Sequence, residues 1–256
     1  MKPSTQIKRL GVLGGISPEG TAFFTQYLHD ETRRHRSPGC SARIVTSVFC
    51  ASDLRDLCAE GEWHYLESRL VRTARDLERS GVQGILLDSS ALHVVAPPMG
   101  EHLSVPFFHL VDEVAKELLR HGVRCAGLLG TRYRSEERIW ADRLLKLAGI
   151  DTVMPSQEDR EHLVEIMDTE LIHGYGEESA RVDLFRTMKY LRRQRAGAMV
   201  LVAPELSLLV DPDSPDFRIM NGARIHAIAA VRWALDLPTL DLPGAPCVLA
   251  HEDPNS

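Results

Sequence analysis

The 256-residue sequence predicts an α/β protein of two similar lobes, each a mainly parallel sheet flanked by helices, related by pseudo-two-fold symmetry with a ligand cleft between them. Three observations predict it. Segments recur in the same order: RLGVLGGISPEGTAFFTQYL from Arg9 returns as RCAGLLGTRYRSEERIWADRL from Arg124. GILLDSSALHVV from Gly84 returns as AMVLVAPELSLLV from Ala198, and VPFFHLVDEVAKEL from Val105 returns more loosely as FRIMNGARIHAIAAV from Phe217. Short, continuously apolar runs alternate with amphipathic stretches of ten or more residues. That pattern marks parallel strands covered on both faces by helices.

Taken in order, the candidate strands are LGVLGG, ARIVTSVF, GILLD, VPFFHL, CAGLLG, DTVMP, AMVLVA and FRIM. Punctuation marks the helices between them. Gly81 closes a helix that begins near Glu62, Ser135 ahead of Glu136 and Glu137 opens one, and Gly149 stops it. The clusters Arg33-Arg34-His35-Arg36 and Arg192-Arg193-Gln194-Arg195 fall at expected helix ends, where cations complement the macrodipole. Val105-Pro106 and Asp211–Pro215 are read as the lobe crossings. They give a first lobe of residues 1–105 plus 216–256 and a second of 106–215, with a loosely held tail after Leu242.

Composition limits the function classes. A net charge of -6 leaves no basic footprint for nucleic acid. Five cysteines, an odd number without CxxC spacing, indicate neither a disulfide framework nor a zinc site. The histidines show no HxxxH or HExxH run, so no metal is expected. No apolar run reaches the roughly 18–20 residues of a membrane span, and without a signal peptide the cytoplasm is the default location.

Ligands of open parallel sheets bind beyond the carboxyl ends of the strands, which selects a few loops. Gly14-Gly15-Ile16-Ser17-Pro18-Glu19-Gly20-Thr21 suits an anion held by backbone N–H groups and a helix N-terminus, or is simply a tight turn. It lacks the spacing of a dinucleotide or P-loop motif. Gly130-Thr131-Arg132-Tyr133 is its second-lobe counterpart, readable as a carboxylate site or as an N-cap and turn. In Asp88-Ser89-Ser90-Ala91-Leu92-His93, His93 is placed to reach Ser89 across one turn, which allows an activated hydroxyl. Asp88 is expected to point elsewhere. In Ala203-Pro204-Glu205, Glu205 is either a base with a raised pKa or a group that orients its neighbours.

These loops, together with GEW at Gly61–Trp63 and LLGTRY at Leu128–Tyr133, resemble the cofactor-independent aspartate/glutamate racemase family from about Arg9 to Leu237. The resemblance implies no cofactor, a small-molecule substrate (an amino acid or dicarboxylate) and often a homodimer. In that family each lobe supplies one acid/base, usually a cysteine, from the second repeated loop; here those positions read Ser89 and Ala203. Ser90 and Ala91 replace an Asn and a Thr, His93 is matched, and Val202 and Pro204 stand where Gly and Thr are usual. Asn221-Gly222 replaces Asp-Thr ahead of Ile225-His226-Ala227, and His162 occupies the place of a lysine. Cys50 falls in a segment one residue longer than usual, so it is either a relocated thiol or a small buried hydrophobe.

The resemblance therefore assigns Ser89, His93 and Glu205 as catalytic candidates. Gly15, Ser17, Ser90, Ala91, Thr131, Arg132, Ala203, Pro204 and His226 are the substrate-binding candidates. The implied function is cofactor-independent isomerase or lyase-type proton transfer rather than ordinary two-cysteine racemisation. A catalytically inactive homologue that binds a metabolite is the alternative, and a serine hydrolase using Ser89 and His93 is a third.

Overall fold

The computed structural model describes residues 6–14, 18–210 and 214–239. All eight predicted strands form: β1 Leu10–Gly14, β2 Ile44–Val48, β3 Gly84–Leu87, β4 Phe107–Phe108, β5 Cys125–Leu129, β6 Asp151–Val153, β7 Ala198–Leu201 and β8 Ile219–Asn221. They pair, always in parallel, into two four-stranded sheets of identical order, β2-β1-β3-β4 and β6-β5-β7-β8. The helices are α1 Pro18–His35, α2 Ala51–Glu60, α3 Trp63–Arg79, α4 Ala96–Met99, α5 Leu110–Arg120, α6 Arg134–Ala148, α7 Gln157–Thr169, α8 Glu178–Arg193 and α9 Gly222–Ala234.

The continuous apolar character of the strands follows from their place in the sheets. β1, β3 and β7 are buried throughout and β5 at all but Cys125, while the edge strand β2 alternates towards solvent. Successive side chains feed opposite cores. Leu10, Val12 and Leu86 meet Phe24, Leu28 and Ala227 of α1 and α9, whereas Leu13, Ile85 and Leu87 meet Leu54, Leu66 and Leu70 of α2 and α3. In the second sheet Ala126, Leu128 and Val200 pack on α5 and α6, and Leu129, Met199 and Leu201 on α7 and α8. Each sheet is thus closed on both faces. Gly61 and Gly149 end α2 and α6 in the left-handed conformation, and the basic clusters fall in the last turns of α1 and α8.

The lobe crossings lie later than expected. β4 pairs with β3 in the first sheet and β8 with β7 in the second, so the chain changes lobes after Phe108 and after Asn221. The cause is that each lobe ends on a strand and gives its next helix to the other lobe's core. Part of the expected second crossing, residues 211–213, lies outside the described residues, as does the tail after Leu242.

Three buried histidines fasten the first crossing. His226 Nε2 lies 3.0 Å from the Phe108 carbonyl and donates to it, and His93 Nε2 accepts from the Leu110 N–H at 3.1 Å. His109, the N-cap of α5, accepts from the Val111 N–H at 3.2 Å. Their rings are in contact, His93–His109 at 4.7 Å and His93–His226 at 5.9 Å between centroids. Buried backbone groups at a crossing have no sheet partner, and imidazole supplies one. Burial pushes His93 down to about 4 and His226 to about 3, and holds His109 well below the usual histidine range, so all three are neutral.

Candidate active site

A cavity of about 50 Å³ opens between the lobes at the carboxyl ends of the strands. Gly20, Thr21 and Asp88–Ala91 line it from the first lobe, and Gly130, Arg132, Glu136 and Val202–Glu205 from the second. The two repeated loop pairs therefore converge on one space. Ser89, Ser90, Ala91, Arg132, Ala203, Pro204 and Glu205 are brought together there.

Other sequence candidates are placed differently. Gly15 and Ser17 lie outside the described residues. His93 is not at the cavity: with Nε2 accepting from Leu110, its Nδ1–H donates to the Ser89 carbonyl at 2.8 Å. Both ring nitrogens are engaged, so His93 has no lone pair with which to activate the Ser89 hydroxyl. His226 is likewise buried in the crossing. Thr131 is buried with its hydroxyl donating to Glu137 Oε1 at 3.3 Å, and the glycine before it lines the cavity instead. Cys50 is exposed, 3.0 Å from the Ser52 hydroxyl and away from the cavity, which matches neither a core position nor a relocated thiol. His162 pairs with Asp183 on the α7–α8 surface.

Two acids missed in the sequence take part. Asp88 follows β3 directly and is one of the residues that line the cavity. The residue is only half-buried, but its Oδ2 atom is sealed from solvent and has no hydrogen-bond partner. Space for it comes from Gly14, where a Cβ would lie 2.6 Å from Asp88 Oδ2 and 2.7 Å from Thr21 Oγ1. Desolvation first, then the neighbouring Glu205 carboxylate, raise Asp88 to about 7 against the pull of a Thr21 hydrogen bond. Glu136, in the first turn of α6, reaches back to accept from the N–H of Arg132, the residue before the N-cap Tyr133, at 2.8 Å. Burial raises its pKa, while hydrogen bonds from Ser90 and the loop backbone oppose the rise. Helix α6 starts one residue before the predicted Ser135, which puts Glu136 in this position.

The second lobe completes the frame. Gly130 adopts φ 87°, and a Cβ there would lie 2.7 Å from Leu206 Cδ1 and 2.9 Å from Ala203 Cβ. Arg132 reaches the cavity with its guanidinium donating to Asp168 at 2.8 Å. Trp140 Nε1 donates to Ser90 Oγ at 2.8 Å and Asn221 Nδ2 to Tyr27 Oη at 3.1 Å, two bonds that tie one lobe to the other. Asn221 also caps α9. Among the described residues no group of three His, Cys, Asp or Glu is gathered closely enough to hold a metal ion, and no helix is long and apolar enough to cross a membrane.

Two parallel sheets of the same order, with the cavity at their facing carboxyl ends, define the chain as a two-lobed α/β protein of the racemase type. Residues 13–230 match the Asp/Glu/hydantoin racemase family, and the chain belongs to it. Among solved structures it is similar to one named "a putative Asp/Glu Racemase from Yersinia pestis", with 28% identity over 89% of this chain and 99% of that one and a TM-score of 0.81. An aspartate racemase homologue from Pyrococcus horikoshii OT3 shares the fold at 23% identity, again over 89% and 99%, with a TM-score of 0.79. The Gly74Cys mutant of arylmalonate decarboxylase shares it at 14% identity over 88% and 93%, with a TM-score of 0.56.

Proposed function

We propose that the protein is a cofactor-independent enzyme that moves a proton at the carbon beside a carboxylate in a small amino acid or dicarboxylate, from one face, with Asp88 as the acid/base. The two positions that hold thiols in two-base members of the family are Ser89 and Ala203 in this chain. Alanine cannot transfer a proton, and a serine hydroxyl without a base is far too weak an acid, so two-sided racemisation lacks its parts. The observation that carries the reading is Asp88, which lines the cavity and whose carboxyl is raised to about 7. A carboxyl poised there holds and releases a proton near neutrality, the condition for general acid/base catalysis. Glu205 lies near enough to contribute to that rise. Gly20 and Thr21 line the cavity in the first turn of α1, whose N-terminal end lends partial positive charge to a substrate carboxylate. One-sided exchange, decarboxylation, elimination and isomerisation all fit one proton relay. The arylmalonate decarboxylase neighbour has the same fold, which leaves lyase chemistry within range of this scaffold.

The test is proton NMR in D₂O with a panel of amino and dicarboxylic acids. The expected result is loss of an α-proton signal with the configuration retained, or release of a product, in either case abolished by Asp88→Asn. Brisk racemisation of any substrate by the wild-type protein would sink the one-sided mechanism. Turnover of none, with binding intact, would favour the second reading, a metabolite-binding homologue, to which Ala203 and the narrow cavity already lend support.

A further inference from the structure

We infer that the first lobe crossing is an acid-released clasp: His93, His109 and His226 hold the lobes together only while all three are neutral, and they take up protons together when it opens. This stands apart from the chemistry proposed for the cleft. The direction of the hydrogen bonds carries it. A backbone N–H can only donate, so the Leu110 N–H fixes His93 Nε2 as a bare acceptor, and the Val111 N–H does the same for His109 Nδ1. These are the first two N–H groups of α5, which have no partner within the helix. Two imidazoles therefore cap one helix, and each can do so only without a second proton. His93 also carries the state of the clasp to the cavity, because its Nδ1–H holds the Ser89 carbonyl at 2.8 Å. A proton on Nε2 turns the same ring from a bridge into a group that opposes the Leu110 N–H.

The surroundings offer no compensation for charge. His226 Nδ1 and His109 Nε2 are buried without a hydrogen-bond partner among the described residues. The rings pack on Phe107 of β4 and Phe24 of α1. The charged groups that face them are Arg143 of α6, which opposes a further cation, and Asp112 of α5, whose carboxylate is held by that same Arg143. Asp112 Oδ1 lies 3.6 Å from His109 Nδ1, the nitrogen that Val111 already occupies. The N-terminus of α5 adds partial positive charge. Each ring, once charged, also disfavours charge on its neighbours, 4.7 and 5.9 Å away between centroids. In the open form all three titrate near the ordinary value of about 6.5. The closed form then binds fewer protons than the open one, so its stability falls as pH drops below that value. Carboxylates in ion pairs add to the loss only nearer their own range of about 4, so the histidines act first.

The experiment is an acid titration of the full-length protein from pH 7.5 to 3.5. It is followed by near-ultraviolet circular dichroism and by the Trp140 indole N–H resonance, whose hydrogen bond to Ser90 joins the lobes. A reversible transition is expected between about pH 6 and 4, with a net uptake of about two to three protons: three at the histidines, less one if Asp88 gives its proton back on opening. His109→Asn keeps an N-cap that accepts at every pH. It should lower the midpoint by about half a unit or more and the proton count by about one. His226→Gln, which keeps a donor for Phe108, should do the same. Circular dichroism at pH 7.5 confirms the fold of each variant, and either one alone decides the outcome. An unchanged midpoint and proton count in a folded variant would overturn the inference. So would a wild type that shows no transition down to pH 3.5, or one whose three ring nitrogens titrate near pH 6.5 with the Trp140 resonance in place.

Discussion

Replacing Asp88 with Asn should stabilise the protein while removing its function, and the stabilisation should depend on pH. The carboxyl rises from 3.8 to about 7 on folding. Between those values the native state holds a proton that the unfolded chain has released, so stability falls as pH rises, and the whole penalty is in place above pH 7. At about 1.4 kcal/mol for each tenfold, the native state bears up to about 4 kcal/mol at pH 8. Asparagine has the shape of the protonated acid and carries no charge to desolvate. The variant should gain up to about 4 kcal/mol at pH 8, on the order of 10 °C in melting temperature for a chain of this size. At pH 4.5 the gain should fall to about 1 kcal/mol. Urea unfolding of both proteins at the two pH values reads this directly. The buried histidines are common to both proteins and cancel in the comparison. A gain of equal size at both pH values, or a loss at pH 8, would refute the claim that Asp88 carries a desolvated charge.

Other perturbations follow from the same geometry. Gly130→Ala puts a side chain at φ 87° and against Leu206 and Ala203, and should cost at least about 2 kcal/mol in urea unfolding; a cost under about 0.5 kcal/mol would mean that the loop is not held as described. Ser90→Ala leaves the Trp140 indole N–H, fully buried, without its acceptor, and should cost about 1–3 kcal/mol. His226→Gln keeps a donor for Phe108 but does not titrate. Because His226 is depressed from 6.5 to about 3, the wild type loses up to about 1.4 kcal/mol per pH unit from this residue as pH falls below 6.5. The stability gap between wild type and variant should therefore close, or change sign, between pH 6.5 and 4. A gap independent of pH would show that His226 is not kept neutral by the fold.

The strands were legible because burial on both faces demands unbroken apolar runs, and even the three-residue β6 and β8 announce themselves that way. The sheet that each end strand joins was not legible, since β4 and β8 are set by pairing across long sequence separations. At the site, the loops were readable from their repetition and their place after strands. The roles within them were not. Spacing put His93 one turn from Ser89, and it does reach that residue, but through the carbonyl rather than the hydroxyl. Asp88 lines the cavity, and the absent side chain of Gly14 leaves room for its carboxyl oxygen, a fit that adjacency in sequence does not announce. Glu136 resembled an ordinary acidic first-turn residue, and it is one; the sequence carried no sign that the same helix start would border the cleft.

The exchange of helices at the crossings reaches beyond the site. A protein cut after Phe108 would leave its first sheet without α9 on one face, and the remainder would carry α9 with no first sheet to cover. Neither half is a closed body, although each contains a complete sheet. The two lobes should therefore unfold as one cooperative unit, and separately expressed halves should remain insoluble unless they are made together. If the internal repeat records a duplication, the ancestral unit would have met this requirement by pairing with its own copy, each chain lending its last helix to the other.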